Sequence, residues 1–165
     1  MALVRNTIID LLLKIYQVGP SGNRFPGGVG HKTAKAYMDY CSTGMNTAGF
    51  PFAAMPGSIA LGGDLAEIYN SVSPSGELTA LKIAKAFNNC LMTFMSVNQL
   101  SIVTAGALPI LQTELVKLFS KPKGAQGLFA SALGRALHNF TTAPAIILTG
   151  LIPGAPPIPF TGPIS

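Results

Sequence analysis

The sequence contains no tryptophan, only two cysteines and only six acidic residues. Charged residues occupy 10% of its 165 positions, whereas a typical soluble domain has about 25%. This scarcity excludes an acidic disordered chain and argues against a long coiled coil, because both depend on charged side chains. It also argues against the highly charged surface of a solitary enzyme. The length suits one domain with a core of its own, with or without an extended arm.

The two cysteines, Cys41 and Cys90, stand far apart and outside any C-x-x-C pattern. Two lone thiols favour a reducing compartment in which both are small core residues, although a single disulfide between them stays open. The first 17 residues do not read as a signal peptide, because Asp10 and Lys14 interrupt the apolar run. No stretch reaches 18 uninterrupted apolar residues, which argues against a membrane-spanning helix.

The net charge of +5 is unevenly distributed, since no acidic residue follows Glu114. A basic half of a chain can attract phosphate or an acidic partner. Four cations over 51 residues fall short of a nucleic-acid-binding arm, so a specific nucleic-acid ligand is not expected. The candidate anion contacts are Lys117, Lys121, Lys123 and Arg135.

Apolar periodicity predicts a mainly α fold, a helical domain of five to six helices. The predicted helices cover approximately residues 3–17, 31–41, 65–71, 76–100, 109–119 and 126–139. Ser75 is the predicted N-cap of the strongest helix, 76–100, and Asp64 that of the short helix 65–71. Residues 85–89 (KAFNN) resemble residues 135–139 (RALHN), but five residues do not establish a repeat.

Two segments are rich in Gly, Pro and apolar residues and contain no predicted regular structure. Residues 43–63 form a long loop of a length that is often functional. Five prolines after residue 151 exclude a helix or a central strand. We therefore expect a helical domain at 1–142 and an extended, apolar, Pro-rich C-terminal arm at 143–165, which docks on its own body or on a neighbouring subunit. The predicted contact residues are Phe50, Phe52, Met55, Ile152, Pro156, Pro157, Ile158, Phe160 and Ile164.

No motif indicates a chemical activity, so an enzyme is not expected. The string from Gly27 to Thr33 looks like a phosphate-binding loop, but His31 separates Gly30 from Lys32 and no strand precedes it. The two histidines, His31 and His138, have no Cys or carboxylate three or four residues away, so neither a metal site nor a cofactor is predicted. The G-x-S-x-G pattern of hydrolases is also absent.

Low charge together with apolar segments indicates surfaces that are covered by other subunits. In composition and layout, without a shared motif, the chain is similar to small, mostly helical virion proteins of tailed bacteriophages. That resemblance implies a structural neck, tail or baseplate subunit of a large symmetric homo-oligomer, assembled in the host cytoplasm and found in the virion. Its partners would be itself and other structural proteins. The alternative is a membrane-active or membrane-associated oligomer, which the mean hydropathy of +0.44 favours.

Overall fold

The computed structural model describes residues 3–16, 26–71, 75–97, 99–103, 106–120, 126–154 and 156–165. Within these residues the chain is mainly helical, which confirms the predicted fold class. The described elements, in chain order, are α1 (Arg5–Tyr16), α2 (Pro26–Cys41), β1 (Phe52–Ala54), α3 (Gly57–Asn70), α4 (Gly76–Leu91), β2 (Met95–Ser96), β3 (Gln99–Val103), α5 (Ala107–Phe119), α6 (Gln126–Thr141), β4 (Ile147–Ile152) and β5 (Ile158–Gly162).

The elements repeat three times with a period of 50 residues. The helices α2, α4 and α6 each have 16 residues and begin at positions 26, 76 and 126. Each is the second helix of a helical hairpin and is followed by extended chain. The similar residues 85–89 and 135–139 therefore occupy the same place in successive repeats, and residues 35–39 (KAYMD) are a third copy. The chain thus contains an internal repeat, which the sequence comparison alone did not establish.

The six helices form a closed ring. Each helix packs against the helices before and after it in the chain, and α6 returns to pack against α1. Two crossings depend on glycine, because a Cβ atom on Gly30 would lie 2.5 Å from the backbone N of Ala66, and one on Gly134 would lie 2.8 Å from Ile9 Cγ1. The ring has approximate three-fold symmetry, with one hairpin per repeat.

Equivalent side chains of the second helices fill the centre of the ring. Tyr37, Phe87 and Leu137 are spaced by 50 residues, and all three are completely buried. The rings of Tyr37 and Phe87 meet edge to face with centroids 5.0 Å apart. The hydroxyl of Tyr37 is also 2.7 Å from Thr141 Oγ1 on α6, so this residue contacts both other hairpins.

The same tight turn ends each second helix. In each repeat a backbone N–H donates to a carbonyl three residues earlier, and in two repeats a threonine hydroxyl donates to that same carbonyl. The three backbone bonds are Thr43 N to Tyr40 O (3.1 Å), Thr93 N to Cys90 O (3.0 Å) and Ala143 N to Phe140 O (3.3 Å). The turn directs the chain into the extended segments.

The extended segments also link the repeats to one another. Strand β1 pairs antiparallel with β2, and β3, β4 and β5 form an antiparallel sheet in that order. The last residue, Ser165, exchanges two backbone hydrogen bonds of 2.9 and 3.0 Å with Met45. Backbone pairing therefore connects the first repeat to the second, the second to the third, and the third back to the first.

The structure corrects several predicted helix boundaries. The predicted loop 43–63 contains β1, and α3 already begins at Gly57, so Asp64 lies inside this helix rather than at its N-cap. The predicted helix 76–100 ends at Leu91, where the tight turn leads into β2 and β3. Ser75 is confirmed as the N-cap of α4, since its Oγ accepts a hydrogen bond of 3.1 Å from Leu78 N.

The segment 143–165 packs on its own chain rather than extending from it. Strand β5 pairs along its length with β4, and Ile164 is only 2% exposed. Ala143, Ile146 and Leu148 belong to the same hydrophobic core as the helices. The predicted boundary between residues 142 and 143 thus falls within one core, because the apolar side chains of this segment complete it.

Candidate interaction surface

One end of the helical ring is covered by the extended segments, and we call this end the cap. It comprises the described residues of 42–56, 92–106 and 143–165, which follow α2, α4 and α6, together with residues 3–4 and the first turns of α1, α3 and α5. Three equivalent contacts define it. Leu3 and Ile164 both lie against Gly44, Gly57 N donates to Thr93 Oγ1 at 2.8 Å, and Gly106 lies against Ala145.

The cap carries almost no charge. The sequence has no Asp, Glu, Lys or Arg within residues 40–63, 86–113 or 136–165. These three stretches correspond to one another in the repeat, and each supplies one third of the cap. Arg5, in the first turn of α1, is the single residue of these four types in the described part of the cap. The other described charges lie along the helices outside the cap, so the molecule has a charged helical part and an almost uncharged end.

Exposed apolar side chains concentrate at the same end. Among the described residues, eleven large hydrophobic side chains are exposed, and nine of them belong to the cap. The other two, Leu78 and Leu128, lie near the starts of α4 and α6, at the opposite end. The nine are Val4, Ile59, Met92, Met95, Val97, Ile110, Ile147, Leu151 and Ile158. A monomer seldom gathers its exposed apolar residues in this way unless the surface has a partner.

Strand β4 departs from the usual pattern of an antiparallel strand over a core. Such a strand places apolar residues inward and polar residues outward. Leu148 and Gly150 are buried as expected, but the outward side has Ile147 and Leu151, which are 37% and 38% exposed. The outer surface of this strand therefore has the composition of a second buried face.

All nine predicted contact residues belong to the cap, but they differ in accessibility. Pro156, Pro157 and Ile158 are exposed, whereas Phe50, Phe52, Ile152 and Phe160 are half-buried. Phe52 packs on the ring of Phe94 with centroids 5.4 Å apart. Met55 and Ile164 are each 2% exposed, so these two residues serve the core of their own chain and are corrected as surface contacts.

The sequence reasoning missed the contribution of the second repeat. Met95 and Val97, 47% and 70% exposed, fall inside the predicted helix 76–100 and were assigned no surface role. The uncharged stretches 40–63 and 136–165 overlap the predicted loop and the predicted arm, whereas 86–113 overlaps neither. The recurrence of an uncharged stretch after each copy of the KAFNN-like segment is the signal that could have identified the third.

The predicted anion contacts are only partly described. Lys117 and Arg135 are exposed, one helical turn away from a hydrogen bond of 3.0 Å between Asn139 Nδ2 and Glu114 Oε1. That bond joins α5 to α6, so both cations lie on these helices outside the cap. Lys121 and Lys123 lie outside the described residues.

An open groove of about 320 Å³ lies between α3 and α4. Its walls carry both signs of charge, with Asp64 and Glu67 on α3 and Lys82 and Lys85 on α4. The position equivalent to Asp64 in the third repeat is Glu114, which there is bonded to Asn139. The groove therefore marks a place where the second repeat differs from the third.

The string from Gly27 to Thr33 forms part of a helix rather than a phosphate-binding loop. It lies in the first half of α2, and Gly30 provides the close contact with α3. Thr33 is fully buried, with its Oγ1 3.1 Å from the hydroxyl of Tyr16. Gly30 and Thr33 of this string thus contribute to helix packing.

The two cysteines are free and buried in the core. Burial raises the pKa of the Cys90 thiol to about 12 and raises the pKa of Cys41 further, so neither is ionised near neutral pH. On the adjacent side of the ring, His138 Nδ1 lies 2.6 Å from the hydroxyl of Tyr40. Burial and the positive charge of Arg5 lower the pKa of His138.

The described part of the chain contains no group of three or more His, Cys, Asp or Glu side chains placed to share a metal ion. Several of its polar side chains join one helix to another, as the Tyr37–Thr141 and Tyr40–His138 contacts do. The feature most suited to a role outside the chain is therefore the cap. No protein-family model, curated protein or solved structure matches this chain.

Proposed function

We propose that this protein is a structural subunit of a large symmetric homo-oligomeric assembly and contacts its neighbours through the cap. The supporting observation is that uncharged sequence and exposed apolar side chains meet at one end of the ring. Covering apolar surface stabilises an association by about 25 cal/mol per Å². The compositional likeness to tailed-phage virion proteins makes a neck, tail or baseplate component the proposed setting.

Other copies of the chain and other structural proteins of the particle are the proposed partners. The residues proposed to make the contact are the accessible members of the predicted set, above all Ile158, together with Val97 and Met92. An apolar contact of this kind needs no catalytic or cofactor-binding group. We therefore propose a structural rather than an enzymatic role.

Size-exclusion chromatography with light scattering tests the proposal on detergent-free protein. Val97→Asp places a charge at a cap position that is 70% exposed, and we expect it to reduce the oligomer size. Leu128→Asp is the matched control, because Leu128 is 69% exposed but lies at the opposite end. Both variants should keep the helical circular dichroism of the wild type. A wild type that remains monomeric at all concentrations would contradict the proposal.

A bilayer surface is the second candidate partner for the same cap, because aliphatic side chains can also enter the lipid headgroup region. Helices of sufficient length and apolar character to cross a membrane do not occur among the described residues. The basic residues Lys117 and Arg135 lie on α5 and α6 outside the cap, rather than on the surface that would meet anionic lipid. Flotation with anionic liposomes, reduced by Val97→Asp but not by Leu128→Asp, would favour the membrane role.

A further inference from the structure

We propose that two copies of this chain pair cap to cap, around a two-fold axis perpendicular to the approximate three-fold axis of the ring. The inference rests on the proposed self-association and specifies the geometry of its cap contact, which joins two copies, so that the larger assembly uses further surfaces outside the cap. It identifies the occupant of the cap as the cap of a second copy. Three features of the described residues support this choice: the distribution of charge, the internal symmetry and the size of the cap.

The distribution of charge favours contact between two caps over contact between a cap and a helical end. A cap packed on the helical end of a neighbour would cover side chains such as Lys14, Glu77 and Lys117 with apolar groups. Removing such charges from water without a partner is costly. Two helical ends would bring together surfaces of like charge, because the sequence outside the cap carries a net charge of +4. Between two caps, Arg5 of each copy is the only such side chain among the described residues.

The internal symmetry makes the cap suited to an isologous contact, in which both partners use the same surface. The exposed residues Thr47, Val97 and Ile147 are spaced by 50 and occupy equivalent positions in the three repeats. A two-fold axis across the three-fold axis places each repeat of one copy opposite a repeat of the other. The pair therefore forms three similar contacts in place of one.

The size of the cap fits an interface between two copies. A standard interface buries about 800 Å² on each partner, which is about a tenth of the 8686 Å² surface of this chain. The cap comprises about a third of the residues, so it is large enough for such an interface.

Charge complementation between two variants of Val97 provides the test. Val97→Asp and Val97→Lys each place a like-charged group on both caps, and we expect each variant alone to raise the dimer Kd by at least about 100-fold. An equimolar mixture should pair again, with a Kd within about 10-fold of the wild type, because the two caps then carry opposite charges. Sedimentation equilibrium measures the Kd of each variant alone and of the mixture, and circular dichroism confirms that both variants are folded.

The outcomes distinguish the arrangement from the proposed function. If the wild type associates and both variants dissociate, but the mixture does not pair, the contact is not cap to cap while self-assembly stands. If Val97→Asp associates as tightly as the wild type, the cap is not the contact. If the wild type is monomeric, both proposals fail, and binding of the monomer to liposomes would then assign the cap to lipid. A mixture of Leu128→Asp and Leu128→Lys should pair no better than either alone.

Discussion

The penultimate residue, Ile164, provides a quantitative test of the closed ring. Its side chain is 2% exposed and lies beside Gly44, as the side chain of Leu3 does. It therefore joins the end of the third repeat to the first. The adjacent Ser165 is bonded to Met45 through the backbone, which holds Ile164 in place. If the segment were an arm that docks only on other subunits, the side chain of Ile164 would add nothing to the stability of the monomer.

The cost of truncating Ile164 follows from its burial. Ile164→Ala removes three buried carbons, which at about 0.8 kcal/mol each amounts to about 2.5 kcal/mol. The cavity that remains raises the expected loss to about 3 to 4 kcal/mol, within the range of such substitutions in cores. Ile164→Val removes one carbon and should cost about 1 kcal/mol. Ile158→Ala, at a position 60% exposed in the same segment, should change stability by less than about 0.5 kcal/mol.

Urea denaturation followed by circular dichroism measures the three free energies of unfolding at a protein concentration low enough to exclude association. The expected order of destabilisation is Ile164→Ala, then Ile164→Val, then Ile158→Ala. If Ile164→Ala and Ile158→Ala unfold at the same urea concentration, the packing of the C-terminal residues on the first repeat is refuted. Deletion of residues 152–165 would be a poorer test of assembly, because it also removes this core contact.

Three further predictions concern the ring itself. Gly30→Ala should destabilise the fold by about 1 to 3 kcal/mol, because the added Cβ meets the backbone of Ala66. Gly63→Ala should stabilise the fold by about 0.5 to 1 kcal/mol, because this position in α3 has open space around it. Urea denaturation measures both changes. The lowered pKa of His138 means that the native state resists protonation, so stability should fall as the pH drops below about 6.5, and His138→Asn should flatten this part of the stability profile. A circular permutant with residue 165 linked to residue 1 and the chain opened before Gly106 should keep cooperative thermal unfolding, because Leu3 and Ile164 are neighbours and Gly106 begins the third repeat.

The helices were predictable where apolar periodicity and polar caps agree. Ser75 and the amphipathic residues after it identified the start of α4, but the apolar pattern continues beyond its end at Leu91. Phe94 is fully buried although it lies outside the helix, because the tight turn at Thr93 returns its side chain to the core. An apolar sequence pattern indicates which residues are buried but not where the chain changes direction. The end of α4 could therefore not be located from the sequence.

The role of the C-terminal segment could be predicted only in part. Pro159 lies in β5 at the edge of the sheet, where proline is tolerated, but β4, which lies in the same predicted arm before these prolines, is the central strand. This edge strand is held on its own chain by pairing with β4. The end of the segment is held by the bonds of Ser165 to Met45, which lies more than 100 residues earlier in the sequence. The cap is a product of ring closure, so no single segment contains the information that predicts it.

The repeat was hidden because equivalent positions share size and burial more than identity. Tyr37, Phe87 and Leu137 all fill the centre, yet one is a phenol, one a phenyl ring and one an aliphatic chain. Only the short segment with a basic residue, an alanine and a large apolar residue stays recognisable in all three copies. Packing in a shared core constrains volume, and volume can be supplied by several residue types.

The pairing of α6 with α1 has a consequence for how this chain is made. Open arrays of helical hairpins need special terminal units to shield their ends and can fold progressively from a growing end. A ring has no ends, so it needs no such units, but its first hairpin has no neighbour on one side until the last has left the ribosome. The third hairpin must therefore leave the ribosome before the first and third repeats can pack together.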